Sequence, residues 1–274
     1  MHLPTSHEGR YSQSLERGLA ILRTFTPERP WLGIAEIAQA LEMSRPTTHR
    51  YASTLVALNY LEQGPMRKYR LGMRAADPGR SAIGSTVLGK LSHEHVSELR
   101  DRSACTASVG LLDGSDLVYV DRARSSVGGQ LEVAARLGRG SRLPAAETAM
   151  GRVLLAHLPD EELAVGLEAP AGSEGGADLG GREDPEGQDE RMKLRAELEG
   201  IREQGWALAD QVHVQGQRCV AAPLRARSKE VIGAVEVAAA NSAFRRSQVL
   251  EQLVPMVVAA AREISEDLGY KPNS

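Results

Sequence analysis

Cysteine is nearly absent from this chain of 274 residues. Cys105 and Cys219 are far apart, and no CxxC pair or Cys/His cluster accompanies either one. That excludes a disulfide framework and a spaced-ligand zinc site, and it suits reduced thiols in the cytoplasm. Long apolar runs are missing too. Without 18 consecutive apolar residues no membrane-spanning helix is expected, and the first ten residues lack the apolar stretch of a secretory signal. The catalytic signatures GxSxG and HExxH do not occur, nor does a P-loop or a GxGxxG opening a helix. An enzyme would have to rest on Cys105 or Cys219, with His157 or His213 as base. A buried, inert thiol is the simpler expectation for both. A redox sensor or enzyme acting through Cys219 is the alternative function.

Bulk charge is also small, at −3. Its distribution is uneven, however. Residues 1–79 carry three more bases than acids, and the remainder carries six more acids than bases. A basic module on an acidic remainder fits a nucleic-acid reader joined to a domain with another task. The length suits two domains.

The informative stretch is residues 34–72. Ile34, Ile37, Ala38 and Leu41 recur at helical spacing. Ser44 then offers an N-cap, and Pro46 falls in the first turn, where its missing N–H costs nothing. The following helix is expected to bury Tyr51, Leu55 and Leu58. Its other face carries Arg45, Thr47, Thr48, His49 and Arg50, and no acid occurs from 45 to 57. Two helices joined by a tight turn, the second basic, predict a helix-turn-helix. Residues 59–72 read as strand, turn and strand around Gly64-Pro65, with Arg67, Lys68 and Arg70 forming a basic wing.

Residues 1–10 read as a disordered tail and 11–74 as the winged helix-turn-helix. The first helix, residues 14–25, places Leu15, Leu19, Leu22 and Phe25 in one stripe, for core packing or for a second subunit. Residues 75–98 form a linker helix. His93 and His95, two apart, point to different sides. From 99 to 270 the pattern becomes mixed. Strands are expected at 105–112, 116–122, 129–135, 206–210, 217–224 and 230–238, and helices at 146–157, from 160, at 190–204 and at 247–268. The last helix buries Leu250, Leu253, Val257, Ala260 and Ile264. Residues 140–144 read as a loop, and 169–188, rich in Gly and acids, as a mobile surface loop. The fold class is α+β, with a C-terminal domain built on an antiparallel sheet.

With these residues in view, the chain resembles the IclR family of bacterial transcriptional regulators. The resemblance rests on Ser14-Leu-Glu-Arg-Gly-Leu-Ala-Ile-Leu22, Ala35-Glu-Ile-Ala38, Thr48-His-Arg50, Leu55-Val-Ala-Leu58 and Lys68-Tyr-Arg-Leu-Gly72. In the second half it rests on Leu143-Pro144 with Thr148-Ala-Met-Gly151, Gly216-Gln-Arg-Cys-Val-Ala-Ala-Pro223 and Ile232-Gly-Ala-Val235. Residues 140–144 and 151–155 look most like the branch responding to aromatic acids.

The resemblance implies a winged helix-turn-helix, a linker helix and a GAF-like effector-binding domain, and a dimer or tetramer on double-stranded, pseudo-palindromic DNA. It implies a small metabolite as effector. Effector binding is expected to bias two arrangements of the linker helices, and neither a cofactor nor a metal is expected. DNA contacts are expected from Ser44, Arg45, Thr47, Thr48, Arg50, Arg67, Lys68 and Arg70. By position, the family's pocket residues fall on Ala149, Met150, Asp210, Gln217, Cys219, Glu236 and Ala238. Three departures stand out. Glu42 occupies a turn position where relatives carry small residues. Glu147 replaces a small residue beside the 148–151 turn. Glu236 stands where relatives that bind small carboxylates tend to carry Ser. A carboxylate facing the pocket would repel an anionic effector. It would favour one that is neutral, hydroxylated or amine-bearing, with Arg122 and Arg142 as candidate partners for Glu236.

Overall fold

A computed structural model of the chain describes residues 11–125, 137–163 and 185–272. The expected tail, the strand at 129–135 and most of the expected loop at 169–188 lie outside these residues. The chain divides into two compact units, with the division after Ala82.

In the first unit, α1 (Gln13–Arg23) is followed by β1 (Leu32–Gly33), α2 (Ile34–Ala40) and α3 (Arg45–Ala57). β2 (Leu61–Gln63) and β3 (Lys68–Leu71) close the wing. The sequence reading missed β1, which is too short to show a period. It pairs with β3 and makes the wing a three-stranded sheet. Ile21, Phe25, Leu32, Ile37, Ala52, Leu61 and Tyr69 form one core. Glu36 Oε2 accepts the Gly33 amide at 2.7 Å and Ser44 Oγ accepts the Thr47 amide at 3.3 Å, so both helices of the motif are capped. Glu42 has φ 50°, the left-handed turn its position demands; strain of about 1 kcal/mol is absorbed by the packed module.

Of the expected first-helix stripe, Phe25 and the partly buried Leu22 join the core with Ile21, while Leu15 and Leu19 are 63% and 53% exposed. Leu58 caps α3 and is also exposed.

α4 (Ala76–Ser85) and α5 (Val87–Ser103) are separate helices, not one. The break falls at Thr86, whose hydroxyl accepts from the Gly89 amide at 2.9 Å and starts α5 afresh. β4 (Thr106–Asp113), β5 (Asp116–Ala123), β6 (Arg142–Pro144), α6 (Ala149–Ala156) and α7 (Pro185–Gln204) follow. Then come β7 (Ala207–Asp210), β8 (Gln217–Arg225), β9 (Val231–Ala240) and α8 (Val254–Asp267). The six strands form an antiparallel sheet in the order β6-β5-β4-β9-β8-β7. Residues 142–144, expected as loop, are its edge strand.

The sheet is covered on both faces. Leu88, Val96 and Leu99 of α5 pack with Val257 and Ile264 of α8 on one face. Met150, Val153 and Leu155 of α6 pack with Leu198 and Ile201 of α7 on the other. Between Val109 and Gly110 the β4–β5 register slips, leaving Val120 as an extra residue on β5. This bulge lets Val120 and Asp121 both serve the α5 face, while Tyr119 and Arg122 serve the α6 face. Before α8, a π turn at Val249–Leu253 precedes Pro255. Proline cannot donate to the helical ladder, and the wide turn absorbs that loss. It also shifts the phase, so Val249 is buried and Leu250, expected in the core, is 37% exposed.

Candidate nucleic-acid interface and ligand cavity

In the first unit, α3 presents Arg45, His49 and Ser53 at successive i+4 positions, all exposed, with Arg50 beside them. His49 and Ser53 were not among the expected contact residues, although the same i+4 spacing would have found them. Ser44 is exposed and Thr47 half-buried, and the Ser44 hydroxyl donates to Thr47 Oγ1 at 2.8 Å. Thr48 does not belong to this face. It is fully buried, and its hydroxyl donates to the Ser44 carbonyl at 3.1 Å. Successive helical residues are 100° apart, so Thr48 points into the core while Arg45 and His49 point out.

The wing arginines and lysine differ among themselves. Arg67 is exposed at the tip, where Met66 and Arg67 both have φ 56°. Lys68 is half-buried, 3.9 Å from Glu36. Arg70 is bound within the wing: it donates to Glu62 at 2.6 Å, its cross-strand partner, and stacks over Trp31 at 5.1 Å. Trp31 lies so close beneath the wing that a Cβ on Gly64 would come within 2.5 Å of its ring.

The second unit holds a cavity on the α6 face of the sheet. It offers about 30 Å³ in this structure, room for a couple of water molecules. Of the expected pocket residues, Ala149, Gln217, Cys219, Glu236 and Ala238 line it. Tyr119, Arg122, Glu147, Thr148 and His213 join them, and of these only Tyr119, Thr148 and His213 went unremarked as possible neighbours of a ligand.

Two expected residues do not reach the cavity. Met150 is fully buried among the side chains of the α6 face. Asp210 follows Ala209, which lines the cavity, so strand alternation turns it to the opposite face. There its carboxylate lies 2.9 Å from Arg218 and 3.8 Å from Arg246.

α6 is brought to the cavity by a close approach. Thr148 Oγ1 accepts from the Gly151 amide at 2.9 Å, and a Cβ on Gly151 would stand 2.1 Å from the Ala145 carbonyl. The Thr-Ala-Met-Gly stretch therefore needs its glycine for packing. His213 and Glu147 pair at 3.2 Å on the cavity wall.

Glu236 is 2% exposed. It accepts from the Tyr119 hydroxyl at 3.3 Å, and burial pushes its carboxyl up to about 7 although the positive charge of Arg122 pulls the other way. Arg122 stacks over Tyr119 at 5.4 Å and donates to Ser108 at 3.2 Å. Arg142, the other candidate partner, is instead bound to Asp113 and Asp116. Burial, reinforced by Glu236, raises the Cys219 thiol well above its ordinary range, and burial pushes Cys105 up to about 11. His93 and His95 bind separate carboxylates, Asp121 at 3.2 Å and Asp267 at 2.8 Å, and do not converge. Among the described residues no helix is long and apolar enough to cross a membrane.

A capped helix-turn-helix with a basic wing, followed by a unit enclosing a mainly apolar cavity with a few charged groups, defines a ligand-responsive DNA-binding regulator. Family models agree on both halves. The IclR helix-turn-helix domain matches residues 14–65, and the bacterial transcriptional regulator IclR C-terminal domain matches residues 80–266. The chain belongs to the IclR family of transcriptional regulators. It is 33% identical over 260 residues to the HTH-type transcriptional regulator XynR of Escherichia coli, covering 94% of this chain and 98% of that one. It is 32% identical over 263 residues to the Pca regulon regulatory protein of Pseudomonas putida, covering 94% and 84%. A crystal structure of a Rhodococcus transcriptional regulator superposes with a TM-score of 0.75 at 31% identity, covering 94% of this chain and 99% of that one.

Proposed function

We propose that the chain reads its operator through Ser44, Arg45, Thr47, His49 and Arg50 of the recognition helix and Arg67 of the wing, and that a small organic effector in the α6-face cavity controls this binding. The observation that carries the reading is the outer face of α3. It is exposed, basic and free of acids over its whole length. Arginine can bind guanine in a bidentate fashion, and helix N-terminal residues reach base edges first. Lys68 and Arg70 contribute less, because Glu36 and Glu62 already hold them.

The protein acts in the cytoplasm as a homo-oligomer. Leu15 and Leu19 supply an apolar stripe on α1 suited to a second copy, which would set two recognition helices on a pseudo-palindromic site. It acts without catalysis. The raised Cys105 and Cys219 thiols hold almost no thiolate at neutral pH, which argues against a nucleophilic or redox role.

The test is a fluorescence-anisotropy titration onto the DNA upstream of the protein's own gene, at several salt concentrations. The expected result is a complex that random competitor DNA fails to displace, with affinity falling steeply as salt rises. Binding no tighter than to random duplex, there and across a genome-wide selection, overturns the reading.

A further inference from the structure

The cavity floor carries charge where a sheet interior is usually apolar. Arg122 on β5, Ser108 on β4, Glu236 on β9 and Ala221 on β8 are successive Cα partners across the sheet. They form one row on one face. Along β9 the same-face neighbours of Glu236 are Ala234 and Ala238, two residues away on either side. One long carboxylate thus stands among alanines. One long guanidinium stands two strands away, with only the short Ser108 between them.

Four other polar side chains of the wall, Thr148, His213, Glu147 and Tyr119, are engaged. Thr148 caps α6 and donates to the Ala145 carbonyl at 3.3 Å. His213 and Glu147 hold each other. Tyr119 directs its hydroxyl at Glu236. An ionised carboxylate has about four acceptor positions, so Glu236 keeps room for further donors.

We propose that Glu236 makes this cavity selective for a hydroxylated ligand: a ligand hydroxyl donates to the Glu236 carboxylate, and a carboxylate lacking a hydroxyl is rejected. The inference rests on the cavity being the effector site and on its widening from the present volume of about 30 Å³ to admit a ligand. The positive charge of Arg122 favours the ionised Glu236 carboxylate, although burial outweighs it. A bare anion that pairs with Arg122 weakens that support and sets a second negative charge beside Glu236 in a poorly solvated space. With Glu236 ionised, which the titrations secure at pH 8, a hydroxyl resolves the conflict, because it supplies a donor to a group that can then only accept. A neutral ligand with hydroxyls adds no charge beside Glu236 and gains the same bond. In either case the discriminating atom is the hydroxyl hydrogen. Rejection arises because a ligand without it leaves Glu236 unsatisfied, the stronger form of selectivity.

The experiment uses calorimetric titration of the full chain at pH 8 with two matched series. One is benzoate, 4-hydroxybenzoate and hydroquinone; the other is hexanoate, 6-hydroxyhexanoate and 1,6-hexanediol. Wild type is compared with Glu236→Ser, with Glu236→Gln, which keeps the volume and removes the charge, and with Ala238→Phe, which fills the cavity. Wild type is expected to bind the hydroxylated members of at least one series tenfold or more tighter than the plain acid. Both Glu236 variants should narrow that ratio by about tenfold, mainly by gaining affinity for the plain acid. Ala238→Phe should abolish binding. If wild type binds the plain acids equally well, or if the variants keep its preference, the role given to Glu236 is overturned while the effector site stands. If binding survives Ala238→Phe, or if no probe binds any of the proteins, the cavity as effector site falls and the selectivity falls with it.

Discussion

Tyr119 and Glu236 meet across an intervening strand. The Tyr119 hydroxyl on β5 reaches Glu236 Oε1 on β9 at 3.3 Å, although β4 runs between them. The residue of β4 opposite Tyr119 is Gly110, and the one opposite Arg122 is Ser108. No bulky side chain bars the way, so two long polar groups of β5 can converge on one carboxylate.

That carboxylate should make stability depend on pH in an unusual direction. Burial lifts Glu236 from the ordinary 4.5 to about 7 in the folded protein. Below about pH 4.5 the group is protonated in both states and costs nothing. As pH rises from there through 7, the unfolded chain ionises more readily than the folded one, and stability is lost. The full penalty, up to about 3 kcal/mol, is present above pH 7. Glu236→Gln should therefore gain stability over wild type between pH 5 and pH 8, measured by urea denaturation of both proteins. A change of the opposite sign would mean that Arg122 holds Glu236 ionised throughout.

The basic residues of the first unit should separate into two groups. Arg45→Ala and Arg50→Ala are expected to weaken operator binding by about 1–3 kcal/mol each if they read bases, or to lower the salt slope by about one if they meet phosphates. Arg70→Ala should change DNA affinity far less. It should instead lower the melting temperature, through loss of the Glu62 pair and the Trp31 stack, by the equivalent of roughly 0.5–1 kcal/mol. Anisotropy and thermal melts on the same samples make the comparison. Equal DNA losses for Arg45 and Arg70 would put the wing on a par with the recognition helix.

Met150 and Ala149 are neighbours with different work. Met150→Ala should destabilise the protein by about 2–5 kcal/mol, because it empties a fully buried site in the α6-face core. Ligand preference should not move. Chemical denaturation and the probe titrations read the two effects separately, and an altered hydroxyl preference would place Met150 on the cavity wall after all.

Much of this was legible in the sequence because the relevant signals are local. Ser44, Pro46 and the acid-free run after them announce a capped, basic helix. Alternation along 234, 236 and 238 places Glu236 with its alanines. What was not legible depends on phase and on distant partners. Thr48 looks as polar as Thr47, yet one helical step carries it into the core. Met150 and Asp210 each lie one residue from a true lining position: one strand step from Ala209 reverses the face for Asp210, and one helical step of about 100° from Ala149 carries Met150 into the core. Leu250 was lost to a π turn that no hydrophobic period reveals. β1 is two residues long and exists only because β3 pairs with it. That Arg70 is engaged by Glu62 and Trp31 could not be read from the wing sequence alone, since Trp31 lies before α2.

The bulge at Val120 ties the two sides of the sheet together. Through it, Arg122 faces the cavity while the adjacent Asp121, fully buried, accepts from the Arg122 amide at 2.7 Å and from Arg139 at 3.0 Å, and lies 3.5 Å from Ser92 and 3.2 Å from His93 of α5. One peptide bond separates the cavity's cation from the anchor of a helix on the far side. The sheet is a single layer here, so the cavity's cation and the carboxylate that anchors α5 are carried by neighbouring residues of one strand.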